Sequence, residues 1–299
     1  INWPGSIFKR VNCLARSDVK KQILELDSAC RDFPRHLSSL ELQRAVLEIL
    51  IPLYESPKRG ARKSLSDEDL NTLVEKAASS KLPISEFLEA SFFDESILLT
   101  FASRIADYLR YKHPEGERLN GVLKALKSGE IDAREAVKAV IEEDAGWFME
   151  LSDRLYTEAP LLLFLFEAPL RPFYEELARR LEGRFRESWW EPICPICGRR
   201  PTVARIRGGK RYVVCAYCGV EYLIDLFLCV NCGNRDPYTL GFIVFDDLPE
   251  YELDYCEKCN HYIKVIHESR LKKRIPGGLE DLLTNELDAL AREIGLERV

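Results

Sequence analysis

The sequence predicts an α+β chain: a helical N-terminal region, two tandem metal-ribbon β modules and a closing C-terminal helix. Three observations carry that prediction. Eight of the ten cysteines lie within residues 194–259 as four Cys-x-x-Cys pairs, Cys194/Cys197, Cys215/Cys218, Cys229/Cys232 and Cys256/Cys259. Apolar residues recur at helical spacing up to about residue 187 and fall into short β-rich runs from 188 onward. An order of knuckle, two strands, knuckle, strand occurs over 194–228 and again over 229–266. The expected boundaries are therefore 1–187 for the helical bundle, 188–228 and 229–270 for the two ribbons, and 271–299 for a helix packing back on the ribbons or the helical domain.

Composition narrows the function classes. A chain of 299 residues is long enough for two or three domains. Its 46% hydrophobic and 31% charged residues read as soluble and globular. The longest apolar run, 159–166, is far short of the roughly 20 residues that cross a bilayer. No basic leader with an apolar stretch opens the chain, so no secretory signal is expected. A net charge of −6 argues against a broad nucleic-acid-binding surface. Disulfide scaffolds are usually short and cysteine-dense, and the long cysteine-poor helical half speaks for metal ligation instead.

In chain order, Leu37, Leu40, Leu47, Leu50 and Ile51 define a helix that Pro52 is expected to end. Ser66 has the chemistry of a cap for a helix burying Leu70, Leu73 and Val74. Another helix is expected from Ile84, after Pro83. Residues 94–112 carry an amphipathic stripe of Ile97, Leu98, Phe101, Ile105, Tyr108 and Leu109. Asp132 is placed to cap the helix bearing Ala136, Val137, Val140 and Ile141. A last helix before the ribbons carries Phe173, Leu177, Leu181 and Phe185. Strands are expected over 201–206, 210–214, 221–228, 238–245, 251–255 and 261–266. The chain closes with a helix over 278–294 presenting Leu279, Leu282, Leu283, Leu287 and Leu290.

Each Cys-x-x-Cys pair sets two thiolates on one turn, half of a tetrahedral metal site, so four pairs make two four-cysteine sites. The repeated order favours first with second and third with fourth, while crossed pairing is also compatible with the spacing. Gly198, Gly219, Gly233 and Asn260 follow the second cysteine of each pair, where a positive φ is needed. Sites closed by four thiolates leave no open position for hydrolysis, and both Zn and Fe suit them. Ribbons this small usually need such a staple to fold. His261 is a weak candidate ligand beside eight cysteines. His267 is expected to be solvated, His36 and His113 have no assigned chemistry, and Cys13 and Cys30 read as ordinary buried residues. No Ser-His-Asp order, phosphate-binding loop or dinucleotide fingerprint is present. Arg199, Arg200, Arg205, Arg207, Lys210 and Arg211, interleaved with Tyr212, Tyr217 and Tyr222, could form a nucleic-acid face. Nearby acids and thiolate-bound metals largely cancel that charge, which favours a mixed solvated surface. Residues 246–250 read as an exposed acidic loop.

With these residues in view, the C-terminal half resembles the formate dehydrogenase accessory protein FdhE family. The resemblance rests on Cys194-Pro195-Ile196-Cys197-Gly198 with Pro201, and on Arg211-Tyr212 leading to Cys215 and Cys218. It continues in Glu221-Tyr222 before Cys229 and Cys232, and in Cys256 and Cys259 followed by Tyr262-Ile263-Lys264. Asp281-Leu282, Leu287-Asp288 and Leu170-Arg171-Pro172-Phe173 complete it. It spans roughly 160–299, and residues 1–159 match only as a helical region of suitable size. Two positions depart from the family pattern: Tyr222 stands where Trp is expected, and Leu226 where Arg is expected. The resemblance implies two rubredoxin-like ribbons in a cytoplasmic, iron-binding, non-enzymatic protein. Its partner would be the molybdenum- or tungsten-containing catalytic subunit of a formate dehydrogenase, during maturation. Asp281, Leu282, Leu287 and Asp288 would face that partner or lock the last helix onto the ribbons. Two other classes compete: a rubredoxin-like redox sensor or electron relay, and a nucleic-acid-binding zinc ribbon.

Overall fold

The computed structural model describes residues 19–112, 116–181, 183–185 and 189–299. Cys13 and His113 lie outside them. The N-terminal region is helical as expected: α1 (Val19–Asp32), α2 (Leu37–Glu55), α3 (Asp67–Ser80), α4 (Glu95–Leu109), α5 (Leu119–Ser128), α6 (Ala133–Ile141), α7 (Ala145–Leu155), α8 (Ala159–Glu167) and α9 (Arg171–Arg180). Side-chain caps start several of them. Ser66 and Asp69 form a reciprocal capping box at α3, and Asp94, Asp132 and Asp144 accept first-turn N–H bonds at α4, α6 and α7. Leu98, Phe101, Ile105 and Leu109 of α4 are buried at the centre of this body.

Two helix expectations need correction. α2 runs through Pro52 to Glu55, because a proline near the end removes one backbone bond and the last turn still buries Leu53 and Tyr54. Ile84 opens only a 3-10 turn, Ile84–Phe87. Its backbone is taken up elsewhere: Ile84 N–H donates to the Pro195 carbonyl and Ser85 N–H to the Ile196 carbonyl, both at 2.9 Å. These bonds join the helical body to the first knuckle.

The second region is one sheet built from the two repeats. β1 (Val203–Arg207), β2 (Lys210–Val214) and β3 (Glu221–Ile224) form an antiparallel meander, as do β4 (Leu240–Val244), β5 (Tyr251–Cys256) and β6 (His261–His267). The halves join edge to edge through a parallel β1–β6 pairing, Val203 opposite Lys264 and Ile206 opposite His267. The strand order is therefore β3-β2-β1-β6-β5-β4, and β7 (Glu297–Arg298) adds beside β6. β3 is shorter than expected because the Asp225 carboxylate accepts the Phe227 N–H and turns the chain. β4 starts later because Pro237–Thr239 is a 3-10 turn.

The closing helix is two pieces, α10 (Glu280–Leu283) and α11 (Asn285–Glu293). Thr284 breaks it: its hydroxyl donates to the Glu280 carbonyl at 2.7 Å, competing with the helical ladder. Leu287 and Ala291 of α11 pack on Leu253 and Tyr262 of the second half of the sheet. No described helix is long and apolar enough to cross a membrane.

Candidate metal centres

The first knuckle meets the second, and the third meets the fourth. Cys194, Cys197, Cys215 and Cys218 form one group, and Cys229, Cys232, Cys256 and Cys259 the other, with ligand atoms all within 4.8 Å of one another in each. Sulfur–sulfur separations are 3.5 Å for Cys194–Cys218 and Cys197–Cys215, 3.6 Å for Cys229–Cys259 and 3.8 Å for Cys232–Cys256. These are far beyond the roughly 2.0 Å of a disulfide. They approach the edge of a tetrahedron whose metal–sulfur bond is about 2.3 Å, roughly 3.8 Å. The donor set and its dimensions fit a metal ion in each group.

The turns that aim the sulfurs are those the sequence called for. Gly198, Gly219 and Gly233 have φ of 79°, 76° and 73°, and Asn260 has 60°. In each knuckle the N–H of this residue donates to the carbonyl of the first cysteine, as Gly198 does to Cys194 at 3.0 Å. Ile196 N–H approaches the Cys194 sulfur at 3.4 Å, and the Asn234 amide the Cys256 sulfur at 3.5 Å. Such bonds favour the thiolate form.

The two groups differ in surroundings. All four sulfur residues of the first are buried, whereas in the second Cys232 is exposed and Cys259 half-buried. Burial pushes the Cys194 and Cys218 thiols well up, while the neighbouring thiols that bond to Cys215 pull it well down. At the second group burial pushes Cys229 up to about 12. Burial works against the Cys256 thiolate too, but the N–H groups of Cys259 and Lys258 and the Asn234 amide hold it down to about 7.

The helical body seals the first group. Besides the Ile84 and Ser85 bonds, Tyr217 donates its hydroxyl to the Glu167 carbonyl at 2.8 Å. Arg199 pairs with Glu167 at 2.9 Å and lies 3.5 Å above the Tyr217 ring. The basic cluster is thus not a solvated face. Arg205 pairs with Glu268 and Glu280, Arg207 with Glu221 and Glu268, and Arg211 with Asp254, while Tyr212, Tyr217 and Tyr222 are buried. Arg200 bonds Asn231, and Lys210 is exposed. Interior acids gather these guanidinium groups inward, which composition alone does not reveal. His267 is likewise half-buried against Glu252 at 2.8 Å, correcting its expected solvation. His261 bonds the Cys259 carbonyl and joins neither cysteine group. Asp246 and Asp247 are exposed, and Cys30 packs half-buried against the core.

The C-terminal residues form a latch. Asp288 accepts the Tyr262 hydroxyl at 2.6 Å and pairs with Lys264 at 2.8 Å, and Asp281 pairs with Lys264 at 2.6 Å. Leu287 is buried, and Leu282 and Asp281 are half-buried. The sequence places Lys264 in the family motif but gives it no role, although a lysine between Ile263 and Val265 in an apolar strand signals a charge that needs partners.

An α+β architecture with two four-cysteine groups, each made of paired knuckles, defines the class of this chain. No protein-family model matches it. It is 32% identical over 144 residues to an FdhE homolog of Aquifex aeolicus and 27% identical over 156 residues to one of Shewanella sp. strain MR-4. These alignments cover 46% and 50% of this chain, and the chain spans about half the length of each relative, 50% and 51%. The crystal structure of the FdhE protein from Pseudomonas aeruginosa shares the fold, with a TM-score of 0.58 at 18% identity over 95% of this chain and 93% of that one. The resemblance to the FdhE family read from the sequence is upheld.

Proposed function

We propose that this chain is a non-enzymatic accessory protein that assists maturation of the molybdenum- or tungsten-containing catalytic subunit of a formate dehydrogenase, acting in the cytoplasm. The observation that carries the reading is the pair of four-sulfur groups set at the ends of β-turns in one sheet. Cys194, Cys197, Cys215 and Cys218 would hold one ion, and Cys229, Cys232, Cys256 and Cys259 the second, as zinc or iron. Either metal would cross-link its knuckles, and iron would add a one-electron couple. Gly198, Gly219, Gly233 and Asn260 set the turns, and the amides of Ile196 and Asn234 steady the sulfurs. The helical body holds the first knuckle, leaving the second half of the sheet as the presented platform. Of Asp281, Leu282, Leu287 and Asp288, the last two face inward and keep the closing helix in place. Asp281, paired with Lys264 and Arg298, and Leu282, partly buried against the core, extend the same latch.

Exposure of Cys232 favours a second reading, in which an iron centre there senses or relays redox state. The nucleic-acid reading loses its support, because the arginines that suggested it are paired internally. Purifying the tagged protein anaerobically from its host, identifying the bound proteins and assaying metal in the same sample tests the proposal. A co-purifying formate dehydrogenase catalytic subunit with two metal ions per chain is expected. An unrelated partner with no such subunit would overturn it, and reversibly bleaching visible bands would favour the redox reading.

A further inference from the structure

We propose that the outer edge of β4, with the groove beside it, binds an extended apolar peptide segment flanked by basic residues. The inference names the surface through which the client role above would be exercised, and it rests on that reading.

β4 is an edge strand: among the described residues it pairs only with β5. Glu257 N–H donates to the Thr239 carbonyl at 2.9 Å. With the register Gly241–Tyr255 and Ile243–Leu253, that bond fixes which residues face the ladder. The N–H and C=O groups of Leu240, Phe242 and Val244 therefore point away from β5. The same three side chains share one face of the sheet, where Phe242 is 69% and Val244 56% exposed. The strand carries no lysine, proline or bulge, the devices that ordinarily protect an edge from pairing. Free backbone groups at alternate positions with apolar side chains beside them are what an added strand recognises.

The groove continues from this face. It holds about 190 Å³ and is walled by Leu226, Phe227 and Phe242 over Arg211, Asp254 and Ile263. Leu226 and Phe227 are half exposed, at 50% and 54%. Arg211 is buried, and its Nε–H has no hydrogen-bond partner among the described residues.

Charge selects the flanks of the occupant. Residues 225–258 carry eight acids against two bases. Both bases are engaged within the chain, Arg235 with Asp225 and Lys258 with Asp236. Asp246 and Asp247 stand exposed just beyond the end of β4. Lysine or arginine beside the bound strand would meet this field, and an acidic segment would be repelled.

The test uses two probes on the metal-loaded full chain: a synthetic peptide of alternating valine and threonine flanked by two arginines, and the formate dehydrogenase catalytic subunit. Val244→Pro removes one outward N–H without touching the β4–β5 ladder, and Phe242→Lys places a charge on the exposed face. Both variants are checked for unchanged metal content and thermal midpoint. The peptide is expected to protect the Phe242 and Val244 amides from hydrogen exchange. Its affinity should fall at least about tenfold in either variant and weaken as salt is raised. Protection at other amides, wild-type affinity retained in either variant, or edge-to-edge dimers protecting these amides without peptide would each overturn the inference. Failure of the client reading looks different: peptide protection at β4 persists while the catalytic subunit does not bind. If the catalytic subunit binds wild type and Val244→Pro alike, the client reading survives and this surface does not.

Discussion

Lys264 on β6 is fully buried, and its ammonium lies 2.8 Å from the Asp288 carboxylate on α11. The pair ties the closing helix to the centre of the sheet, at the strand that also joins the two repeats. Arg298 reinforces it by reaching both Asp288 and Asp281.

Asp288→Ala leaves that ammonium buried with a weaker set of partners, and should cost about 3–5 kcal/mol. Replacing both members, Lys264→Met with Asp288→Leu, should cost clearly less, because no buried charge is then stranded. Urea unfolding measures both, and hydrogen exchange across α11 should rise in Asp288→Ala. Equal losses in the single and double variants would contradict this account of the latch.

The difference in burial predicts two rates of metal loss. In zinc-loaded protein, a colorimetric chelator should remove one equivalent on the order of ten times faster than the other, since the first group opens only when the helical body lets go. Cys232→Ser should abolish the fast phase and spare the slow one. Removal of both ions should unfold the sheet, as a structural four-sulfur site contributes an apparent ~10–16 kcal/mol, and leave most helical circular dichroism intact. A single phase of two equivalents would show that burial does not control release.

Gly198 and Gly233 occupy equivalent knuckle positions with positive φ, yet only Gly198 lies under another element. A Cβ at 198 would sit 3.2 Å from Pro83 Cγ and 3.3 Å from Ser85 Oγ, and one at 233 meets nothing within 4 Å. Gly233→Ala should lose about 1–2 kcal/mol for the left-handed backbone alone. Gly198→Ala should lose a further ~1–3 kcal/mol and speed release of the slow ion, because the Ile84–Phe87 turn must shift. Thermal melts with chelator kinetics on both variants read the difference.

Asp254 supplies a pH signature. Burial pushes its carboxyl up to about 6, against the pull of Arg211, and the adjacent Glu252 adds to the rise. The folded pKa then lies above the unfolded value of about 3.9, so the folded state holds the proton more tightly. Its contribution is present in full below about pH 4, is lost as pH rises through about 6, and is level beyond. Urea stability measured from pH 4.5 to 7 should fall more steeply for wild type than for Asp254→Asn. Parallel curves would contradict the assignment.

The cysteine knuckles made the second half of the fold legible. Metal chemistry requires two sulfurs per turn and a positive-φ residue after each, and the strands between are short enough for alternation to place them. Helix positions followed from apolar spacing and from Ser66 and Asp132 as caps. Less was legible where one element completes another. Nothing local in 84–87 shows that its amides serve the carbonyls of Pro195 and Ile196. Nothing local in β1 shows that its open edge meets β6 in parallel. The arginines read as surface because the sequence does not display that Glu167, Glu268 and Glu280 converge on them. Thr284 breaks the closing helix through a side-chain bond that an apolar repeat cannot register.

X-ray absorption at the metal edge of the purified protein, with metal quantified per chain, tests the central claim most directly. Two ions per chain, each with four sulfur neighbours at about 2.3 Å, is the predicted result. A first shell containing nitrogen or oxygen, fewer than two ions in fully reduced protein, or sulfur–sulfur pairs at disulfide distance would contradict it.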